Sequence, residues 1–226
     1  MLTMLKSLLP DHPVPMRVWR GPFRGARVVL NPRISLRKAL GLYEHELNGW
    51  LETALGDVSR VLDVGANDGY FTFGCAAAFR RLGVAGEIVA FEAQERHVLE
   101  LKASVAAQAN DRVRIDVRHA LVGARTGGLM FALDDLAVAD RSRTLIKLDV
   151  EGAEEDVIAG AHSWLTPDNR FVIEVHRREF IARLQQTFAA RGLSLRLIEQ
   201  QPLPLLGREE RAVDNWWLVS EPAGRS

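Results

Sequence analysis

With only one cysteine in 226 residues, Cys75, the chain has no partner for an internal disulfide and no cysteine pair for a zinc site. Flanked by Phe73, Gly74 and three alanines, it reads as a small residue on the inner face of a helix, not as a reactive thiol. Lysine is also scarce: Lys6, Lys38, Lys102 and Lys147 are the full set, and the arginines that replace it are scattered. There is no charge excess of either sign, because 29 basic side chains meet 29 acidic ones. Nucleic acid as the main partner is disfavoured by that balance, since binding phosphates normally leaves a basic surplus. No apolar run reaches the roughly 18 residues that span a bilayer. The opening stretch 1–10 is apolar but short, and it lacks a basic leader followed by a small-residue cleavage site, so it is not read as a signal peptide. A cytoplasmic protein without a membrane span is expected. Repeats and low-complexity tracts are missing too. At 25.2 kDa the chain has length for one α/β domain with a real core.

What is present is an orderly alternation. Residues 10–34 carry Pro10, Pro13, Pro15, Pro22 and Pro32 with Gly21 and Gly25, a turn-rich lead-in with one short strand at 26–30. From Ser35 to Leu55 apolar residues recur at helical spacing, interrupted near Gly41, with Gly56 expected to close the helix. β-rich runs then follow at 60–64, 87–91, 112–117, 144–149 and 170–175, with helical patterns at 70–81, 94–107, 154–159 and 178–191. Such alternation implies βαβ units and a parallel sheet. Two last runs, 193–198 and 215–219, have no helix between them and predict an antiparallel hairpin at one sheet edge, with Trp216 and Trp217 dividing between surface and core. The expectation is an α/β, Rossmann-like domain at 57–220: a mostly parallel seven-stranded sheet with helices on both faces, preceded by a lead-in and cap helix at 1–56. A nicotinamide-binding sheet would end on another parallel unit, and 221–226 reads as a loose tail.

The chemistry gathers at the carboxyl ends of the strands. Val61-Leu62-Asp63-Val64 runs into Gly65-Ala66-Asn67-Asp68-Gly69, a strand that ends near a carboxylate and breaks into a glycine-bearing turn. That turn lets bare backbone approach a ligand. A pyrophosphate loop would read G-x-G-x-x-G; here Asn67 takes the third position and Asp63 precedes the glycines, both of which oppose a phosphate. The loop suits S-adenosylmethionine (SAM), with Gly65, Asn67 and Gly69 at its methionine end and Asp63 orienting the loop or facing the ammonium. Glu92, about 20 residues further on at a strand tip, is placed for two ribose hydroxyls. His119 or neighbouring backbone is expected near the adenine. In Ile146-Lys147-Leu148-Asp149-Val150-Glu151-Gly152-Ala153-Glu154, Lys147 and Asp149 share one strand face. Glu154, Glu155 and Asp156 load a helix start, where negative charge is favoured. Glu174 and His176 share a face at the next tip, His176 being either a general base or a capping residue.

The segments 61–71, 133–136 and above all 146–154 resemble the FkbM family of methyltransferases, as do Gly41-Leu42-Tyr43-Glu44 and Ile173-Glu174-Val175-His176. The likeness runs from about Leu40 to His176. It implies SAM-dependent O-methylation of a hydroxyl on a sugar, glycolipid, polyketide or other secondary metabolite. It carries over Gly65, Asn67 and Gly69 as the methionine loop, Glu92 as the ribose acceptor, and Asp149, Glu151 and His176 as pocket residues. The stretch 122–132 is shorter than the family's usual insertion. That implies an open pocket, a large or carrier-borne acceptor, a lid from the second subunit of a homodimer, or lost activity.

The expected reaction is in-line transfer of the sulfonium methyl to an alcohol oxygen. His176 is the first choice of base and Asp149 the second, with Lys147 orienting a carboxylate or the acceptor, and Glu151 and Glu174 lining the acceptor side. No metal is expected, the alternative being a hard cation on Asp149, Glu151 and a third oxygen. The rival functions are a catalytically weak or inactive SAM-binding protein and a nicotinamide oxidoreductase.

Overall fold

The computed structural model describes residues 9–108, 112–203 and 215–221. Most of the opening stretch, the 204–214 part of the last connection and nearly all of the tail lie outside the described residues.

Strand β1 (Val14–Arg17) pairs antiparallel with β2 (Arg27–Leu30). Helix α1 (Pro32–Leu40) follows, started by Asn31, whose side chain accepts from the Arg33 amide at 3.0 Å, and stopped at Gly41. After a 3₁₀ turn, His45–Leu47, helix α2 (Asn48–Asp57) runs through Gly56 instead of ending there. Val58 stops it: fully buried and extended, this β-branched residue turns the chain into the sheet, so no left-handed glycine cap is needed.

The alternating part gives β3 (Arg60–Val64), α3 (Tyr70–Leu82), β4 (Gly86–Glu92), α4 (Glu95–Ala107) and β5 (Val113–His119). Two short strands, β6 (Leu121–Val122) and β7 (Met130–Phe131), pair with each other in the segment 120–132, where the sequence predicts no element. The remainder is β8 (Thr144–Leu148), α5 (Glu154–Ala159), β9 (Arg170–Val175), α6 (Arg178–Ala189), β10 (Leu195–Ile198) and β11 (Trp216–Ser220). The seven-stranded sheet has the order β10-β11-β9-β8-β3-β4-β5. Its five central and right-hand strands are parallel, while β11 lies antiparallel between β9 and β10.

Strand pleating divides the core into two layers. Val61, Leu145 and Val172 face α3 and the lead-in residues Phe23 and Val28; Leu62, Ile146 and Ile173 face Val157, Trp164, Leu184 and Phe188. The lead-in therefore shares the sheet's core. Phe23 packs edge-on to Tyr70 and Phe71 with centroids 5.3 Å away, burial worth about 1.5–3 kcal/mol. Cys75 is fully buried, which pushes its thiol pKa up and leaves it inert. Trp217 is buried and Trp216 partly exposed.

Connections leave β3 towards β4 on one side and reach β8 on the other, so the order reverses between β3 and β8. The crevice beyond the carboxyl ends at such a reversal is where open α/β sheets bind ligands.

Candidate active site

The two peptides that leave β3 and β8 touch at that crevice. The Asp149 amide donates to the Val64 carbonyl at 3.1 Å, and the Gly65 and Ala66 amides both donate to the Phe91 carbonyl of β4. Gly65 has φ 80°, and a Cβ built on it would stand 2.0 Å from the Asp149 carbonyl oxygen. Alanine at Gly65 is thus expected to push the two loops apart. SAM titration should show at least tenfold weaker binding than for the wild type; unchanged affinity would mean that the loops can part without loss. Asn67 also has positive φ, and its amide donates to Glu92 Oε2 at 2.8 Å. The other Glu92 oxygen accepts from the Gln94 amide at 2.8 Å. Glu92 is buried, so it clamps the glycine loop to β4 while each oxygen keeps a lone pair for a further donor.

A cleft of about 220 Å³ opens here, lined by Gly65, Asn67, Phe91, Glu92, Val122 and Glu151 among others. Glu151 is exposed at its lip with φ 49°. His119 lies off the lining, its Nε2 held 2.9 Å from the Ala93 carbonyl; its neighbours Ala120 and Leu121, and His97 from α4, line the cleft instead. Gly69 is the φ 80° residue that starts α3, and Asp68 accepts from the Tyr70 amide at 3.0 Å.

Beside the cleft, on the α3 face of the sheet, a row of charged side chains crosses the strand tips. Asp63 and Lys147 are register partners, both buried. The Lys147 ammonium donates to the Gly65 carbonyl at 2.8 Å and to Asp149 Oδ2 at 3.1 Å, and stands 3.4 Å from Asp63 Oδ1. Asp63 Oδ2 accepts from Thr72 Oγ1 of α3 at 2.5 Å. Lys147 and Asp63 therefore reach the cleft through the loop they brace.

Burial alone would lower the Lys147 ammonium, but Asp149 and then Asp63 outweigh it and keep it charged. Burial raises the Asp63 carboxyl despite Lys147 and Thr72. Glu174 is pushed up to about 9 by burial and then by the charges of Asp149 and Glu44, so at neutral pH it holds a proton. Burial also acts upward on Asp149, yet Lys147 and the Glu174 hydrogen bond hold it below the usual carboxylate range. One buried carboxyl is thus neutral beside an ionised one, an arrangement typical of functional sites.

His176 completes the row. Its Nδ1 is 2.9 Å from Glu154 Oε1, while Nε2 stands 3.9 Å from both Asp149 Oδ1 and Glu174 Oε1. The Glu154 hydrogen bond raises the imidazole pKa against the opposing effect of burial. Glu154 is fully buried and also accepts from the Gly152 amide at 3.0 Å. The sequence accounts for Glu155 and Asp156 by the acidic helix start but gives Glu154 no role; the helix that Glu154 opens turns it inward onto His176. Burial and then the charges of Glu44, Glu174 and Asp149 raise the Tyr43 phenol, and Glu44 acts on Glu174 in turn, so the turn after α1 lies close to this edge.

No protein-family model matches the sequence, and no curated protein matches it. Solved structures do. The methyltransferase FkbM from Methylobacillus flagellatus KT is 19% identical with a TM-score of 0.56, over 72% of this chain and 44% of that one. This chain thus spans less than half the length of that protein. A putative methylase from Haemophilus influenzae is 15% identical with a TM-score of 0.52, over 92% and 98% of the two chains. Fibrillarin from Aeropyrum pernix, in complex with natively bound SAM, is 17% identical with a TM-score of 0.51, over 83% and 74%. At these identities the likeness is one of fold: the chain has the Rossmann-like fold of the SAM-dependent methyltransferases.

Proposed function

We propose that the protein is a SAM-dependent O-methyltransferase of the FkbM type, acting on a hydroxyl of a sugar, glycolipid or other secondary metabolite. The observation that carries the reading is the placement, at the sheet's order reversal, of a glycine loop between the Glu92 carboxylate and the edge made by Asp149, Glu174 and His176. The same edge separates the reading from a nicotinamide enzyme, which would not need a buried acid pair there.

Bound in the cleft, SAM supplies an already electrophilic methyl group on sulfur. Backbone at Gly65, Asn67 and Gly69 holds the methionine end, and the free lone pairs of Glu92 accept the ribose hydroxyls. Asp63 and Lys147 keep the loop in place. Glu151 and Glu174 face the acceptor. Aligning the hydroxyl with the methyl is the main task of these residues, and alignment alone accounts for roughly 7–11 kcal/mol in such reactions. The hydroxyl proton leaves towards the edge, where His176 and Asp149 stand. His176 is placed for this by Glu154, which takes the Nδ1 side and leaves Nε2 facing inward.

The acceptor class, a homodimer that covers the open cleft, and a cytoplasmic setting compatible with one buried cysteine belong to the same proposal. Among the described residues no helix is long and apolar enough to cross a membrane. The second reading, a SAM-binding protein with little or no activity, draws on the shortness of 122–132. SAM binding without transfer to any member of a broad hydroxyl library would favour it.

Calorimetry with SAM and S-adenosylhomocysteine tests the cofactor, and a thermal-shift comparison with NAD tests the rival; stabilisation by NAD alone would overturn the proposal. Glu92→Ala is expected to weaken SAM binding tenfold or more, since it removes both the ribose acceptor and the clamp on Asn67. Equal affinity would remove the ribose assignment.

A further inference from the structure

Three donor atoms at the edge, one each from Asp149, Glu174 and His176, all lie within 4.8 Å of one another. We propose that these three side chains hold a divalent cation, through Asp149 Oδ1, Glu174 Oε1 and His176 Nε2. The inference deepens the methyltransferase reading and rests on it for the ion's purpose, while the site itself stands on geometry.

Donors bound about 2.1 Å from such an ion stand about 3–4 Å apart. The two imidazole-to-carboxylate separations are both 3.9 Å, so closing on an ion asks a small inward shift together with release of the Glu174 proton to solvent. The donors come from rigid places: Glu174 and His176 two apart across the end of β9, and Asp149 one residue beyond β8.

The surroundings have the form of a metal site's outer shell. A metal-bound histidine usually gives its other ring nitrogen to a carboxylate, which sets the tautomer and aims the ligating nitrogen. Glu154 does this at 2.9 Å. The Asn215 amide donates to Glu174 Oε1 itself, so the ion would take that oxygen's second lone pair, and Lys147 binds Asp149 through Oδ2, leaving Oδ1 turned to the imidazole. Glu154 is fully buried and divides its Oε1 between the Gly152 amide and the His176 ring.

Two carboxylate oxygens and one imidazole nitrogen suit a divalent ion of intermediate character, Mn²⁺ better than Ca²⁺. Three protein donors leave open positions, and an acceptor oxygen in one of them would be both located and made more acidic. Glu151, by contrast, is exposed at the cleft's lip and is not among the three.

The test uses the full chain, freed of metal by chelator and dialysis and titrated with Mn²⁺, free ion being read by electron paramagnetic resonance. One Mn²⁺ per chain is expected. Glu174→Gln and His176→Ala should each weaken it at least tenfold, and Glu154→Gln, which acts through His176, by about tenfold. Pulsed resonance on the wild-type complex should show nitrogen coupling from one imidazole, a readout that does not depend on any variant folding. No bound Mn²⁺, no nitrogen coupling, or equal binding in folded Glu174→Gln would each overturn the proposal. SAM titrated into the same samples separates the two claims. SAM binding without Mn²⁺ would remove the ion and leave the methyltransferase reading; Mn²⁺ binding without SAM would do the reverse.

Discussion

Lys147→Met is expected to destabilise the fold by about 3–5 kcal/mol, the usual result of removing one partner from a buried ion pair. The Lys147 ammonium is the cation facing Asp63, which is fully buried and has only Thr72 besides. It also ties the Gly65 carbonyl to Asp149, so the variant should loosen the loop as well. The loss should depend on pH in a definite direction. Burial already raises the Asp63 carboxyl, and without Lys147 it rises further. A carboxyl with a raised folded-state pKa binds more protons folded than unfolded. Its contribution is fully present below the unfolded value of about 3.9 and is lost as pH rises through the folded value. The deficit of Lys147→Met relative to wild type should therefore shrink on going from pH 7.5 to pH 5. Urea unfolding at the two values measures this. A deficit under about 1 kcal/mol, or one that ignores pH, would show that the pair does not brace the strand tips. Adding Asp63→Asn should restore part of the loss, since the orphaned charge is then gone.

For His176→Ala the expected loss is in turnover, by about 10²–10⁴-fold, with SAM affinity within a factor of about 2–3. His176 stands at the edge away from Glu92 and the glycine loop, and is absent from the cleft's lining, so cofactor binding should not feel its removal. Both roles open to it, proton acceptor or ligand of an ion, predict this separation between rate and affinity. S-adenosylhomocysteine release in the presence of an acceptor found by library screening reads the rate, and calorimetry reads the affinity. Equal rates would end its part in the chemistry. A parallel loss of SAM affinity would mean that it supports the fold of the cleft instead.

The helix and strand periods were legible wherever a segment buries one face. Arg60–Val64, Arg170–Val175 and Glu154–Ala159 begin and end where their residue patterns do. Gly56 misleads because a glycine late in a helical run usually marks its end, and the helix is instead stopped two residues further on by Val58 entering the core. Strands β6 and β7 escape because two residues have no period to detect. Asp63, Glu92, Asp149 and His176 could be picked out because strand tips followed by turns can be read from local patterns. Glu154 could not, since nothing local shows that its carboxylate turns inward onto His176, 22 residues further on.

Taken alone, the amino-acid order determined the βαβ alternation, the glycine turn and the carboxylates near strand ends, all consequences of neighbours along the chain. Only the tertiary structure decided which of these meet. Parallel strands are joined by long crossovers, so β3 and β8 are adjacent in space and about 80 residues apart in sequence. That adjacency sets Gly65 against Asp149 and leaves Lys147 between two carboxylates, while the parallel pairing of β8 with β9 brings Nε2 of His176 towards Asp149 and Glu174. Whether a carboxyl at a strand tip is neutral or ionised depends on burial and neighbouring charge, and neither exists before the sheet forms.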